Sequence, residues 1–223
     1  MSDQVFRATS PVTLLGAGDS TGGCLAEALA YAPFLVAADG GANVAVTAGH
    51  VPEIVIGDLD SISADTRSAI PGDRLWHIAE QDSTDFEKCL ARIAAPLILG
   101  VGFAGGRLDH VAAVWTALAR YPDRRCLILG QEDVVFLSPR RLHLDLSEGA
   151  RVSLFPMGAV SGRSEGLFWP IDGIGFAPDG RIGTSNRATG PVVLEFDAAR
   201  MLVMLPRDCL GAAIAALAPG DRA

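Results

Sequence analysis

Carboxylates recur in this chain wherever an apolar run gives way to glycine or to a polar turn. Asp39 follows Ala37-Ala38 and precedes Gly40-Gly41-Ala42-Asn43. Asp58 and Asp60 lie in Ile56-Gly57-Asp58-Leu59-Asp60-Ser61, and Asp82 and Asp85 in Gln81-Asp82-Ser83-Thr84-Asp85-Phe86-Glu87-Lys88. A single Asp at such a place is an ordinary turn former or helix cap. Three clusters at successive strand ends carry more meaning, because ligands of an open parallel sheet bind at the carboxyl ends of its strands. So many acids in one cleft repel one another unless a cation joins them. Hard oxygen donors on loops suit Mg²⁺, which keeps several waters and shares its other positions with substrate phosphates. In an extended segment residues i and i+2 point the same way, so Asp58 and Asp60 are expected to grip one ion.

Positive charge is scarce near these acids, which makes its placement informative. Thr84 and Glu87 have the capping-box spacing, so a helix is expected to start at Thr84; a substrate contact is the other reading of that hydroxyl. Asp85 and Lys88 then share one helical face. Of the 18 basic side chains one is lysine, Lys88. Where Arg serves everywhere else, a surviving Lys points to a compact ammonium on a phosphate oxygen, where a planar guanidinium would not fit. A surface ion pair with Asp85 is the plainer alternative. Gly105-Gly106-Arg107-Leu108-Asp109-His110 runs from glycines into a helix. Backbone N–H groups at such a start can hold phosphate, and Arg107 can add a two-pronged contact. Asp109 also favours the helix dipole.

The elements that must position these residues alternate. Strands are expected at Val12–Leu15, Phe34–Ala37, Ile54–Ile56, Leu75–Ile78, Leu97–Gly100 and Arg125–Leu129, with helices near Gly23–Tyr31, Ala42–Ala48, Asp85–Ala94 and Leu108–Arg120. That pattern implies an α/β domain with a mainly parallel sheet, over residues 1–138. From 139 to 223 the character changes to a small all-β domain. Its strands are expected at Arg140–Leu146, Arg151–Phe155, Val192–Phe196 and Met201–Leu205, with a hairpin turn at Ser147-Glu148-Gly149 and a short helix at Leu210–Leu217.

Composition sets limits. A net charge of −8 excludes the dense positive surface that nucleic-acid binding requires. The longest apolar stretch, near Ala94–Gly106, is broken by Pro96 and glycines, so no membrane span is expected. The N-terminus carries no basic or apolar leader pattern, which leads us to expect a cytoplasmic protein. The four cysteines are scattered without a metal-binding spacing and read as buried free thiols. One rival remains: Gly16-Ala17-Gly18-Asp19-Ser20-Thr21-Gly22 is a loose dinucleotide fingerprint, and Asp39 stands where a ribose hydroxyl would be bound. An NAD-linked oxidoreductase would leave the other acidic segments without a task.

Taken together, four strings resemble thiamine pyrophosphokinases. They are Asp39-Gly40-Gly41-Ala42-Asn43, Gly57-Asp58-Leu59-Asp60-Ser61-Ile62, Asp82 through Cys89, and Gly105 through His110, in the family's order over roughly residues 35 to 120. In the second half, Gly166-Leu167-Phe168-Trp169-Pro170-Ile171 is similar to the family's Gly-Leu-x-aromatic-x-Leu segment, and Thr184-Ser185-Asn186 to its Ser-Asn element. Gly183 stands where some relatives carry a polar residue, and the N-terminal glycine loop does not align. The resemblance implies an α/β nucleotide-binding domain, then a β-sandwich domain, in a homodimer with its sites at the subunit interface. It implies transfer of diphosphate from ATP to the thiamine hydroxyl, with Mg²⁺ as cofactor. On that reading Asp58, Asp60 and Asp85 hold the metal, and Lys88 and Arg107 neutralise the transferring group. Asp39, Asn43, Thr84 and Asp109 join Lys88 and Arg107 around ATP, while Asp82, Ser185 and Asn186 meet thiamine. A pterin-type pyrophosphokinase would share the acidic cleft but lack the thiamine pocket.

Overall fold

The computed structural model describes residues 4–20 and 22–218. Thr21, in the glycine loop, lies outside the described residues. The chain divides into two compact units. The first runs to Ala117 and takes in Ile128–Gln131; the second comprises Leu118–Leu127 and the chain from Glu132 onward.

In chain order the first part contains β1 (Phe6–Arg7), β2 (Val12–Leu15), α1 (Cys24–Tyr31), β3 (Phe34–Ala38), α2 (Gly41–Thr47), β4 (Ile54–Gly57), α3 (Ala64–Ala69), β5 (Leu75–His77), α4 (Asp85–Arg92), β6 (Ile93–Ala94), β7 (Ile98–Val101), α5 (Leu108–Arg120) and β8 (Cys126–Leu129). Every residue of β2, β4, β7 and β8 is buried. Parallel strands covered on both faces need such unbroken apolar runs, whereas one-sided strands alternate. The pairing is parallel: β2 with β7, Val12 opposite Ile98, and β3 with β4 and β4 with β5. β3, β4 and β5 form a three-stranded sheet of their own, and the loops after them carry Asp39, Asp58–Asp60 and Glu80–Asp85.

Local chemistry sets the helix starts. Thr84 caps α4, its hydroxyl accepting the Glu87 N–H at 3.3 Å, as the capping-box spacing predicts. Phe86, Cys89 and Leu90 of that helix are buried at the i, i+3, i+4 spacing of a single face. Ser63 caps α3 by accepting the Thr66 N–H at 3.2 Å. That helix was not anticipated from the sequence, because Ala64–Ala69 buries Thr66 alone. Leu59 and Ile62 instead enter a core cluster with Ala37, Ala42, Val55 and Ile70. Two glycines permit the close approach of backbone beneath the acidic loops: a Cβ at Gly41 would lie 2.1 Å from the Leu15 carbonyl, and one at Gly57 would lie 2.7 Å from the Asp39 Cβ.

The second unit is antiparallel. It contains β9 (Asp133–Leu137), β10 (Arg141–Leu144), β11 (Arg151–Pro156), β12 (Val160–Leu167), β13 (Gly175–Phe176), β14 (Gly183–Phe196), β15 (Met201–Pro206) and α6 (Leu210–Leu217). Strand β14 is long enough to serve two sets of partners. Its first residues pair with β11, which continues to β15 and β9; its last pair with β10 and β12, and β12 with β13. Several features differ from expectation: β9, β13 and residues 183–191 of β14, which was expected only at Val192–Phe196, are strands that were not anticipated. β9 falls on the first-domain side of the expected boundary at 138, yet pairs with β15. β12 was not anticipated because Ser161–Gly166 carries no apolar alternation. Ser147-Glu148-Gly149 does form a turn, with Gly149 at φ 87°, but β10 and β11 pair with β14 and not with each other.

Candidate active site

The acids at the strand ends converge. One oxygen from each of Asp39, Asp58 and Asp60 lies within 4.8 Å of the others. Asp39 is 3 % exposed, and its Oδ1 has no hydrogen-bond partner. A buried carboxylate oxygen without a donor is costly unless something positive meets it. This all-oxygen donor set fits a hard divalent cation. The convergence does not come from an extended segment as expected. Leu59 stands at φ 62°, in the left-handed region, so the chain turns between the two acids while the leucine is driven into the core. Asp39 is likewise at φ 41°. Non-glycine residues hold such angles only where their surroundings fix them.

Those surroundings are named side chains. Asn43, on α2, donates from Nδ2 to the Ser61 carbonyl at 2.8 Å and accepts the Ser63 N–H at 3.0 Å. Arg67, on α3, donates to the Leu59 carbonyl at 2.9 Å. Gln81 donates to Asp58 Oδ2 at 2.9 Å, and that bond is the main reason the Asp58 carboxyl is held below its ordinary pKa. Glu80 accepts the N–H groups of Asp82 and Ser83, at 2.9 and 3.1 Å, and the Ser83 hydroxyl. Asp82 is thus an exposed member of a turn that Glu80 organises.

Lys88 is 2 % exposed, and its ammonium lies 3.1 Å from Asp85 Oδ1. That burial removes the surface-pair reading, for which the expected worth is only ~0.2–1 kcal/mol. Asp85 is half-buried; burial pushes its pKa up, Lys88 opposes that, and Asp39 and Asp58 add to it. It stands near the three acids, but the set within 4.8 Å is Asp39, Asp58 and Asp60. Arg107 and Asp109 are exposed and joined by a two-pronged pair, Nε to Oδ1 at 3.1 Å and Nη2 to Oδ2 at 2.6 Å. Asp109 raises the arginine's pKa.

Part of this set borders a cleft of about 530 Å³ in the first unit, whose lining does not include Asp60, Asp82 or Asp109. Of the residues expected there, Asp39, Asp58, Thr84, Asp85, Lys88 and Arg107 form its wall. Asp60 closes the acidic set, whereas Asn43 supports the loop behind it. The glycine loop also contributes: Gly16 and Gly18 press against Gly102, whose carbonyl a Cβ at Gly18 would meet at 2.4 Å. Sequence reasoning missed Arg67, Gln81 and Glu80, and the Phe86–Phe103 ring pair at 4.7 Å that borders the cleft. Gln81 adjoins a singled-out cluster and was open to notice; Arg67 belonged to an unanticipated helix.

In the second unit, Ser185 is exposed at φ 63°, its N–H held by Ser153 Oγ at 3.0 Å. Asn186 is buried, its carboxamide bonded to backbone. Phe168 and Trp169 are exposed, their rings 4.7 Å apart and edge to face. The four cysteines are free, three of them buried.

Acids thus gather at strand ends beside a buried ammonium, and the comparisons say what class of protein carries them: a transferase. The family model described as thiamin pyrophosphokinase, catalytic domain, matches residues 25–129. Thiamine pyrophosphokinase 3 of Oryza sativa subsp. japonica is 31% identical over 185 residues, covering 68% of this chain and 69% of that one. Thiamine pyrophosphokinase 1 of Arabidopsis thaliana is 30% identical over 190 residues, covering 70% and 71%. Among solved structures, yeast thiamin pyrophosphokinase superposes with a TM-score of 0.73 at 16% identity, over 93% of this chain and 92% of that one. The thiamin pyrophosphokinase of Geobacillus thermodenitrificans gives 0.72 at 24%, over 88% and 96%. At those identities the structures speak for the fold. The chain belongs to the thiamine pyrophosphokinase family, and its function is that of a thiamine pyrophosphokinase. Membership sets aside the pterin-type and oxidoreductase alternatives.

The Asn43 clamp yields a prediction. Asn43→Ala frees Ser61 and Ser63 without touching any acid, so turnover should fall at least about tenfold while the melting temperature drops by only a few degrees. Turnover within twofold of wild type would mean that the loop keeps its shape without the clamp.

Proposed function

We propose that the activity is a Mg²⁺-dependent transfer of diphosphate from ATP to thiamine, run from the cleft of the first unit. The observation that carries this reading is the convergence of Asp39, Asp58 and Asp60, with one buried Asp39 oxygen left unpartnered, at a cleft that a buried Lys88 also lines. The thiamine hydroxyl forms a bond to the β-phosphorus of ATP. The bond from that phosphorus to the α–β bridging oxygen breaks, and AMP leaves with the oxygen and its electron pair. The hydroxyl proton passes to a carboxylate of the cleft.

Transfer of this kind asks a protein for positioning and charge neutralisation more than covalent help. Asp39, Asp58 and Asp60 would hold Mg²⁺, with Asp85, first expected among the ligands, holding the Lys88 ammonium instead. Bound there, the cation supplies positive charge to phosphate oxygens. Lys88 meets the transferring group from a fixed, water-poor position, where a charge acts most strongly. Arg107 is the reserve of positive charge at the rim: on meeting phosphate it exchanges its Asp109 partner for a stronger one. Thr84 remains committed to its cap. In the second unit, Ser185 and the exposed aromatic pair are the groups offered to thiamine.

The finer fold reading, a nucleotide-binding parallel unit followed by a β-sandwich, goes with this function. Free cysteines agree with a reducing, cytoplasmic setting, and no helix among the described residues is long and apolar enough to cross a membrane. Exposed Phe168, Trp169 and Ile182 favour assembly as a homodimer with its sites at the subunit interface. A monomer mass in sedimentation would end that part of the reading.

Purified protein should make AMP and thiamine diphosphate only when ATP, thiamine and Mg²⁺ are all present. ADP as the nucleotide product would mean ordinary kinase chemistry and overturn the reading. Lys88→Arg keeps the charge but changes its shape in a buried position. It should lower turnover at least about tenfold, ~1.4 kcal/mol in barrier height; an unchanged rate would remove Lys88 from the mechanism.

A further inference from the structure

The carboxamide of Asn186 has little left to offer a substrate. It is 8 % exposed. Its Oδ1 accepts the N–H of Trp169 at 3.2 Å and the N–H of Arg187 at 2.9 Å, and its Nδ2 donates to the Trp169 carbonyl at 2.7 Å. Both lone pairs of the oxygen and one of the two amide hydrogens are therefore in use. Asn186 pairs with both backbone groups of Trp169 as a neighbouring strand would. It does so where regular pairing has broken down: the register of β12 against β14 shifts between Glu165 and Leu167, and Gly166 sits at φ 75°. Past that point Leu167 still pairs with Ala188, and the segment is then held to β14 by the Phe168 N–H on the Arg187 carbonyl at 2.9 Å and by the Asn186 carboxamide on Trp169.

What the carboxamide fixes is an exposed aromatic surface. Phe168 is 47 % and Trp169 56 % exposed, and the Arg187 guanidinium lies 3.8 Å from the Phe168 ring centroid. Arg187 is the residue whose N–H completes the Asn186 network, so one side chain sets the backbone under the tryptophan and under the cation.

We infer that Asn186 is a positioning residue of the thiamine site, acting through Trp169 and not by touching thiamine. Resting on the thiamine pyrophosphokinase reading, this sharpens the roles within the second unit. Contact with the substrate falls to exposed groups, the Trp169 ring and Ser185. The buried amide decides where that ring stands, and a ring misplaced by a fraction of its thickness loses its contact with a planar partner.

A double-mutant cycle read in the thiamine KM tests the inference, since it isolates the coupling between two residues. Trp169→Ala should raise the thiamine KM at least about fivefold. Asn186→Ala should do the same, with the ATP KM unchanged within about twofold in both. The double variant should match Trp169→Ala alone, because a clamp on a missing ring has no further effect. Full additivity would mean that Asn186 meets thiamine itself, and an unchanged KM in Asn186→Ala would mean that the clamp is irrelevant; either result overturns the inference. Amide hydrogen exchange gives a readout without turnover. At Trp169 and Arg187 it should quicken at least about tenfold in Asn186→Ala, and unchanged exchange overturns the inference as well. Should the alanine variant fail to fold, Asn186→Asp keeps the acceptor oxygen for both N–H groups and loses the donor to the Trp169 carbonyl, and is read in the thiamine KM alone, with the same two outcomes. Absence of thiamine-dependent AMP in the wild type would instead defeat the functional reading, while the exchange experiment would still report on the clamp.

Discussion

Like charges held closer than they would choose to stand are the constraint on which the first unit depends. Asp39, Asp58 and Asp60 bring oxygens within 4.8 Å of one another, and Asp85 feels the charges of Asp39 and Asp58. Acids on free loops would swing apart. Here they cannot, because the backbone beneath them is tied at several points. Leu59 is sunk in the core between two acids, Asn43 and Arg67 hold the carbonyls around them, and Gly57 lets Asp39 lie against the next strand. On the proposed reading a cation joins these acids, and the tied backbone is what keeps their oxygens together for it.

The two asparagines illustrate one physical device. Each was expected to touch a substrate, and each instead presents a carboxamide to backbone where regular pairing has ended: Asn43 to Ser61 and Ser63, Asn186 to Trp169 and Arg187. A side-chain amide carries the same donor and acceptor as a peptide group, so it can satisfy an irregular loop that no strand can reach. Loops built in this way hold a shape without secondary structure. That suits segments that must carry exposed functional groups.

Much of this was legible in the sequence. Unbroken apolar runs marked β2, β4, β7 and β8, and the Thr84–Glu87 spacing marked the start of α4, because those signals are local. Lys88 stood out by composition, and its burial accords with a specialised role. What escaped were relations between distant segments. Nothing local to Arg67 says that its guanidinium will reach the Leu59 carbonyl, since that depends on α3 folding back. Asp39 was expected around the nucleotide, and its approach to Asp58 and Asp60 required knowing that β3 and β4 are parallel neighbours with Ala38 opposite Ile56. β12 and the two-sided pairing of β14 were hidden because Gly, Ser and Thr there carry little apolar alternation.

The central proposal is that a cation joins the acid cluster and relieves its mutual repulsion, with Asp39 at the buried end. Thermal unfolding of the wild type and of Asp39→Asn, each with and without Mg²⁺, tests it most directly. Removing one charge from the cluster should raise the metal-free melting temperature by a few degrees. It should also abolish most of the stabilisation that millimolar Mg²⁺ gives the wild type through binding to the folded state. If Asp39→Asn melts below the wild type without metal and still responds fully to Mg²⁺, the acids are not strained and the cation does not sit among them.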